Sequence, residues 1–326
     1  MNIKFTPVNA SSITQETYER FGISNKALSV EYYQEYYGAS FQDLSFLVIM
    51  EHKVVGYVSC CELNGKLCLV GNGICIRLDD ENSKGRFKLL HNAILSHLQA
   101  LAKEGGGKEI IIKDILNNGQ LSCLGEILFN NRYKSSLTFE MLVNYSDFTE
   151  NNYYRVLRKS YKSLVNWGRK NLDIVYINNQ NPCRDSFSTF QQFHQKISGR
   201  ITRSERSWQL QYDMVCNSFG ELILAYLDGK LVAGSLFVDQ DNVSIYFTGV
   251  YERELFNFGL SHYLTYQGIY RSHLRGNTSC FSLGYFDSDI QDPKWYNVQF
   301  FKKGFCKQFV PIILWSKSFK EGSTNE

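Results

Sequence analysis

Proline is scarce in this 326-residue chain, with four in all, which leaves no room for Pro-rich linkers or low-complexity tracts. No apolar run reaches the roughly 18 to 20 residues of a membrane-crossing helix. The opening MNIKFTPVNASS lacks the apolar stretch of a secretory signal, so the expected location is cytoplasmic. Histidine is sparse, six in number, and no metal site is expected from its spacing. His91 and His97 fall on different faces of one helix, while His52, His194, His262 and His273 have no spaced partner acids or cysteines. Gly-x-Ser-x-Gly is absent, which removes the motif of a nucleophile-elbow hydrolase. The nine cysteines are odd in number and scattered, and the closest pair, Cys60 and Cys61, is adjacent; reduced, mostly buried thiols follow. A net charge of +3 names no partner by itself.

A hydrophobic content of 44% over this length suffices for two domains of ordinary size. The charge is distributed unevenly. Residues 151–206 carry eleven Lys or Arg against three acids, a local +8, so the rest of the chain sums to −5. A polyanion-binding surface takes that form.

The chain also repeats itself. FLVIMEHKVVGYVSCCELNGKLCLVG from Phe46 and LILAYLDGKLVAGSLFVDQDNVSIYFTG from Leu222 both read as strand, turn, strand, turn, strand. Gly56 matches Gly234 and Gly71 matches Gly249, each 178 residues apart, and Phe129 and Tyr133 match Phe301 and Phe305 at 172. A helix and a further strand follow each meander: residues from Arg86 and EIII in the first, LSHYLTYQGIYRSHL and CFSLG in the second. The expectation is an α/β fold with mixed sheets, a tandem duplication of two like units packed side by side. Residues 1–150 form the first domain, and 151–326 a basic joining helix plus the second. Within that helix, YYRVLRKSYKSLVNWGRKN, an apolar face of Tyr154, Leu157, Tyr161, Leu164, Val165 and Gly168 opposes a basic face that includes Arg158 and Lys162.

Two further segments suit an anion. Arg200, Arg203 and Arg206 of RITRSER are three apart and can present bidentate guanidinium groups to a phosphate; an exposed, solvated basic segment is the alternative. Asn82-Ser83-Lys84-Gly85 and Phe256-Asn257-Phe258-Gly259 precede the two helices and are candidates for backbone phosphate contacts. Each keeps a single glycine, and each reads equally as a helix cap. After the late strand, Tyr285, Asp287 and Asp289 stand where loops present functional groups. A carboxylate there can take a proton from an amine; the run Asp287-Ser288-Asp289 also reads as an ordinary turn. No helix-turn-helix or zinc pattern accompanies the basic charge, so DNA is not an expected partner.

The order LRKSYKSLVNWGRKN, LAYLDGKLVAGSLF, FSLGYF and FFKKGF resembles FemAB-like transferases over about Tyr153 to Trp315. The resemblance implies a double GNAT fold and an acyltransferase. Members of that family move amino acids from aminoacyl-tRNA onto cell-wall precursors, and relatives in the wider superfamily move acyl groups from acyl-coenzyme A to amines. It implies a bacterial role in cell-envelope biogenesis, no tightly bound cofactor, acyl-CoA or aminoacyl-tRNA as co-substrate, and a small-molecule or a nucleotide- or lipid-linked amino acceptor. It also implies a role for Lys302: the family's matching lysine faces the cleft and offsets charge developing on the reacting carbonyl. The first repeat has Asn130 at that place, which puts the reaction in the second repeat. Two features depart from the family. Cys306 follows Phe305 where the family usually has glycine, and the heptad-patterned insertion that makes a coiled-coil arm in some members is missing. A non-catalytic module of the same fold, holding an anionic partner in a basic cleft, is the competing reading.

Overall fold

The computed structural model describes residues 2–8, 14–21, 26–78, 84–105, 109–116, 118–287 and 289–319. Asn82 and Ser83 of the first candidate loop, and Ser288, lie outside the described residues. The chain divides into two units, one of residues 1–139 with 310–326 and the other of residues 140–309.

The first unit carries β1 (Ile3–Pro7), α1 (Gln15–Phe21), α2 (Lys26–Tyr37), β2 (Phe41–Asp43), β3 (Phe46–Met50), β4 (Lys53–Leu63), β5 (Lys66–Ile76), α3 (Lys84–Glu104), β6 (Glu109–Ile115), α4 (Cys123–Asn130) and the start of β7 (Lys134–Asn144). Its strands follow the order β1-β3-β4-β5-β6-β13, where β13 is Gln308–Ser318, and β2 pairs with β4. The turns that tie β3 to β4 and β4 to β5 place Glu51, His52, Asn64 and Gly65 at positive φ, where Asn and Gly are tolerated best. Phe46, Val48, Leu90, Ile94, Leu98, Ile110 and Ile112 form its core with Trp315. The apolar period of α3 and the alternation of β6 meet there.

The second unit carries α5 (Glu150–Val156), α6 (Lys159–Asn171), β8 (Asp173–Ile177), α7 (Arg184–Ser198), α8 (Glu205–Cys216), β9 (Gly220–Leu227), β10 (Lys230–Gln240), β11 (Val243–Tyr251), α9 (Leu260–Arg275), β12 (Cys280–Phe286) and α10 (Pro293–Lys303). Its strand order is β7-β12-β11-β10-β9-β8. The expected single joining helix breaks at Leu157 and Arg158, and the segment 151–206 also supplies an edge strand, β8, paired antiparallel with β9. Tyr161, Val165 and Gly168 form the buried stripe of α6. Two glycines let α6 and α9 approach: a Cβ at Gly168 would stand 2.4 Å from that of Tyr263, and one at Gly259 2.7 Å from that of Leu164. Glu221, fully buried on β9, is paired with Arg271 of α9 through two hydrogen bonds, at 2.6 and 3.0 Å. Asp239 of β10 holds Arg275 in the same way.

The repeat read from the sequence is present in element order. Three antiparallel strands, a helix, a strand, a helix and a strand recur as β3-β4-β5-α3-β6-α4-β7 and β9-β10-β11-α9-β12-α10-β13. Pairing differs from order at the last strand of each. β13, which ends the second repeat, runs antiparallel to β6 from Ile312 opposite Ile115 to Ser318 opposite Glu109. β7, which ends the first, lies beside β12. The domain division drawn at 150/151 therefore differs from the observed one, in which residues 310–326 belong with the first unit. Apolar alternation specifies which face of a strand is buried, and it does so equally well beside either neighbour.

Candidate active site

In each unit the third meander strand leaves its parallel partner and bulges just beyond the parting. β11 pairs with β12 only from Val243–Cys280 to Ile245–Ser282, and opposite Leu236 and Phe237 it carries one extra residue, Phe247. β5 pairs with β6 only from Lys66–Glu109 to Cys68–Ile111. A bulge of this kind turns the strand away and leaves its neighbour's polar backbone unpaired on one side. In the second unit β12 runs on past the parting through Gly284 to Phe286.

Lys302 stands at that point. A Cβ built on Gly284, at φ +89°, would lie 3.5 Å from the Lys302 Nζ, with no other atom of the described residues beyond its two chain neighbours within 4 Å. The glycine thus supplies a conformation that other residues resist and a bare floor beneath the ammonium. The Lys302 side chain is half-buried, and burial alone holds its ammonium below the usual lysine range. Among the described residues no carboxylate forms an ion pair with it. A desolvated cation without a counter-ion is an anion site in waiting, because an arriving negative charge restores the solvation it has lost. Its counterpart Asn130 ends α4 as an exposed residue.

The remaining Phe-Lys-Lys-Gly-Phe residues lock that helix end. Gly304 has no Cβ because one would lie 2.0 Å from the Tyr161 ring. Phe305 is fully buried, and Phe301 packs against Tyr161, His262 and Phe305 with ring centroids 5.0 to 6.0 Å apart. Cys306 is buried, so the position where the family has glycine accepts a side chain. At the other end Asp292 caps α10, its carboxylate accepting from the Lys294 and Trp295 N–H groups, with Pro293 at the first turn.

The other expected site residues are dispersed. Tyr285 is exposed and, as the strand neighbour of Gly284, projects from the opposite face of β12. Asp287 is exposed, and its carboxylate accepts the Asp289 N–H at 2.9 Å, the geometry of a local turn. Arg158 has its guanidinium on the Phe300 carbonyl at 2.8 Å and on the Tyr161 hydroxyl at 3.1 Å. Lys162 donates to the Arg155 carbonyl and lies over the Tyr154 ring. Of the three arginines, Arg200 is exposed in the loop after α7, Arg203 folds over the Trp208 ring, and Arg206 lies in the first turn of α8. They do not share one helical face. Gly259, at φ +73°, ends a 3-10 turn (Arg253–Phe258) and begins α9, which has no side-chain cap. Sequence reasoning missed Gly284, although it lay in the FSLGYF segment, as well as Tyr161 and His262. The His262 Nδ1 is buried without a hydrogen-bond partner, and burial together with the nearby Arg158 charge pulls its pKa down to about 4.

Among the described residues no group of three His, Cys, Asp or Glu is placed to hold a metal ion, and no helix is long and apolar enough to cross a membrane. Cys60, Cys61 and Cys306 are buried and Cys123 and Cys216 exposed, all as free thiols.

Among solved structures the chain is similar to FemX, with a TM-score of 0.67 at 14% identity, covering 96% of this chain and 97% of that one. The fold is that of the FemAB-like double-GNAT proteins. A tandem GNAT protein from the clavulanic acid biosynthesis pathway matches with a TM-score of 0.55 at 11% identity, covering 99% of this chain and all of that one. The C-terminal DUF2156 domain of an Agrobacterium fabrum protein assigned as a lysylphosphatidylglycerol synthetase also gives 0.55 at 11%, covering 92% and 93%. No family model and no curated protein matches the sequence. In this double-GNAT frame Lys302 belongs to the second repeat, at the parting of its two parallel strands.

Proposed function

We propose that the chain is an N-acyltransferase that moves an acyl or aminoacyl group from an activated donor to an amine on a cell-envelope precursor such as an amino sugar or a peptide. The observation that carries this reading is the Lys302 ammonium, set without a carboxylate partner over the bare Gly284 backbone where β11 and β12 separate. Attack of an amine on a thioester or ester carbonyl places negative charge on the carbonyl oxygen. A fixed, partly desolvated cation is worth far more there than a solvated one. Lys302 serves as that stabilising group, and the donor carbonyl sits at the strand parting. Removing one such donor from an acyl-transfer site typically costs about 10² to 10³ in rate. Collapse of the oxyanion breaks the donor's C–S or C–O bond and releases its thiol or hydroxyl, which gains a proton through water. The proton released by the amine leaves by the same route, because the Asp287 carboxylate is engaged in its own turn.

The likeness to FemX and to a tandem GNAT protein supports the reaction class at the level of fold. It leaves the donor open between acyl-CoA and aminoacyl-tRNA. Of the expected basic residues, the exposed Arg200 and Arg206 are the ones this reading assigns to the anionic part of donor or acceptor; tRNA is the larger of the candidate partners. The purified protein, given acetyl-CoA or charged tRNA with a panel of amino sugars and peptides, is expected to add one acyl mass to one acceptor. No transfer from either donor counts against catalysis.

A second reading has its own observation. The turn before α9 holds a single glycine and is filled by the 3-10 helix Arg253–Phe258, not by a glycine-rich phosphate loop. That favours a donor other than coenzyme A or a non-catalytic module that holds an anionic partner. Thermal shift distinguishes them: a ligand at ~100 times its Kd stabilises by about 2.7 kcal/mol, and a module shows the shift without turnover.

A further inference from the structure

The last turn of a helix leaves carbonyls without intrahelical partners, and α10 ends one residue after Lys302. The Phe301 and Lys302 carbonyls accept from the Gly304 and Phe305 N–H groups, and three carbonyls at this end are also taken by Arg158, which precedes α6, and Tyr161 in its first turn. The Arg158 guanidinium donates to the Phe300 carbonyl at 2.8 Å, the Tyr161 hydroxyl donates to that of Phe301 at 3.0 Å, and the Arg158 backbone N–H donates to that of Gly304 at 2.9 Å. Arg158 also donates to the Tyr161 hydroxyl at 3.1 Å, so the two side chains form one unit. The guanidinium carbon lies 4.0 Å from the Phe300 ring centroid and 4.9 Å from that of Tyr161. Its charge faces the negative end of the α10 dipole. From α9, His262 closes the cluster edge-on to Tyr161 and Phe301, with centroids 4.3 and 5.0 Å away.

We infer that Arg158 and Tyr161 are positioning residues for Lys302, holding the final turn of α10 so that the lysine stem can reach only the Gly284 floor. This rests on the acyl-transfer reading for its catalytic consequence, while the placement of the ammonium is independent of it. A lysine is a point charge on a flexible four-carbon stem, so its Nζ is located only as well as its Cα and its walls are. Phe301 and Gly304, which bracket the Lys302-Lys303 pair, are held, Phe301 by its ring packing and carbonyl, Gly304 by its carbonyl on the Arg158 N–H and its close approach to Tyr161. The remaining titratable or charged groups near this turn are Lys303, which lies over Phe286 and Phe309, the buried Cys306 thiol, the exposed Lys307, His262 and, at the end of β12, Tyr285 and Asp287. Only burial acts on the Lys302 ammonium. The clamp keeps it buried.

The test uses the full chain labelled with ¹³Cε-lysine, with the Lys302 resonance assigned from a Lys302→Met variant. Tyr161→Phe removes the hydroxyl bridge and keeps the ring; Arg158→Gln removes the charge and the fork; Arg158→Lys keeps the charge alone. In folded Tyr161→Phe and Arg158→Gln the Lys302 titration midpoint is expected to move up toward ordinary lysine, and Arg158→Lys to recover part of the difference. Acyl transfer at saturating substrate should fall about 10- to 100-fold, the penalty of a group displaced by about an ångström, with KM much less affected. If Arg158→Gln does not fold, Tyr161→Phe decides alone. A folded clamp variant whose Lys302 midpoint stays at the wild-type value overturns the inference. A midpoint that moves in a protein without transferase activity instead sinks the catalytic reading and leaves the positioning intact.

Discussion

Replacing Gly284 by alanine tests the candidate site through one methyl group. At φ +89° an L-residue pays about 1–2 kcal/mol for the left-handed backbone, and alanine regains about 0.4–1 kcal/mol by restricting the unfolded chain. The net loss is about 1 kcal/mol, a Tm drop of about 2–4 °C for a unit of this size. Gly199 provides the control. It caps α7 at φ +70° and a Cβ there would meet nothing within 4 Å, so Gly199→Ala carries the same backbone cost and no contact. The new methyl at position 284 would sit 3.5 Å from the Lys302 Nζ, where it displaces water from the ammonium. Calorimetry should therefore show similar Tm losses for the two variants. Lysine NMR should show a further lowering of the Lys302 midpoint in Gly284→Ala alone, and acyl transfer should fall about tenfold in that variant alone. If the two variants are indistinguishable in Lys302 titration and in transfer, the placement of the ammonium over Gly284 is refuted as the basis of function.

Lys302→Met should abolish most transfer, by about 10² to 10³, and yet raise stability at neutral pH. The folded lysine has a depressed pKa, so the unfolded state binds more protons between the folded and unfolded midpoints and wild-type stability climbs as pH rises through that window. The advantage of the methionine variant in denaturant melts should accordingly shrink toward pH 10 and above. His194 and His262 are each held down to about 4, chiefly by burial. Both stay neutral in the folded state while the unfolded chain protonates near 6.5, so stability is lost as pH falls from about 6.5 to 4. His262→Phe should flatten part of that slope. Glu221→Gln leaves Arg271, whose side chain is 28% exposed, facing a neutral group on the fully buried side of the pair, at a cost of about 1.5–3 kcal/mol by chemical denaturation; a loss under about 0.5 kcal/mol would contradict the reading of this pair.

The duplication was legible because it shows itself in local patterns. Asn64-Gly65 and Asp228-Gly229 mark turns in equivalent meanders, and the spacing of Tyr161, Val165 and Gly168 marks the inner face of α6. Strand exchange was not legible, since β13 carries the same alternation whether it lies beside β6 or elsewhere. Lys302 was found through the family's closing motif, and its partner Gly284 was passed over because a lone glycine in a strand has many uses. Arg158 was read as part of a basic helix face suited to an anion. Its carbonyl partner, Phe300, is 142 residues away, beyond any spacing rule for one helix. The arginines of RITRSER read either as a phosphate-binding trio or as an exposed basic segment, and the helix between Glu205 and Cys216 begins after Arg203, so only Arg206 shares its geometry.

The exchange of closing strands has a consequence for synthesis. A ribosome makes this chain from residue 1 onward, and by residue 309 it has delivered every residue of the second unit. The first unit, begun earlier, still lacks the strand that lines β6 from Glu109 to Ile115. The part translated first is thus completed last, and a chain ending near residue 309 would leave the N–H and C=O groups along that edge of β6 open to any strand that reached it.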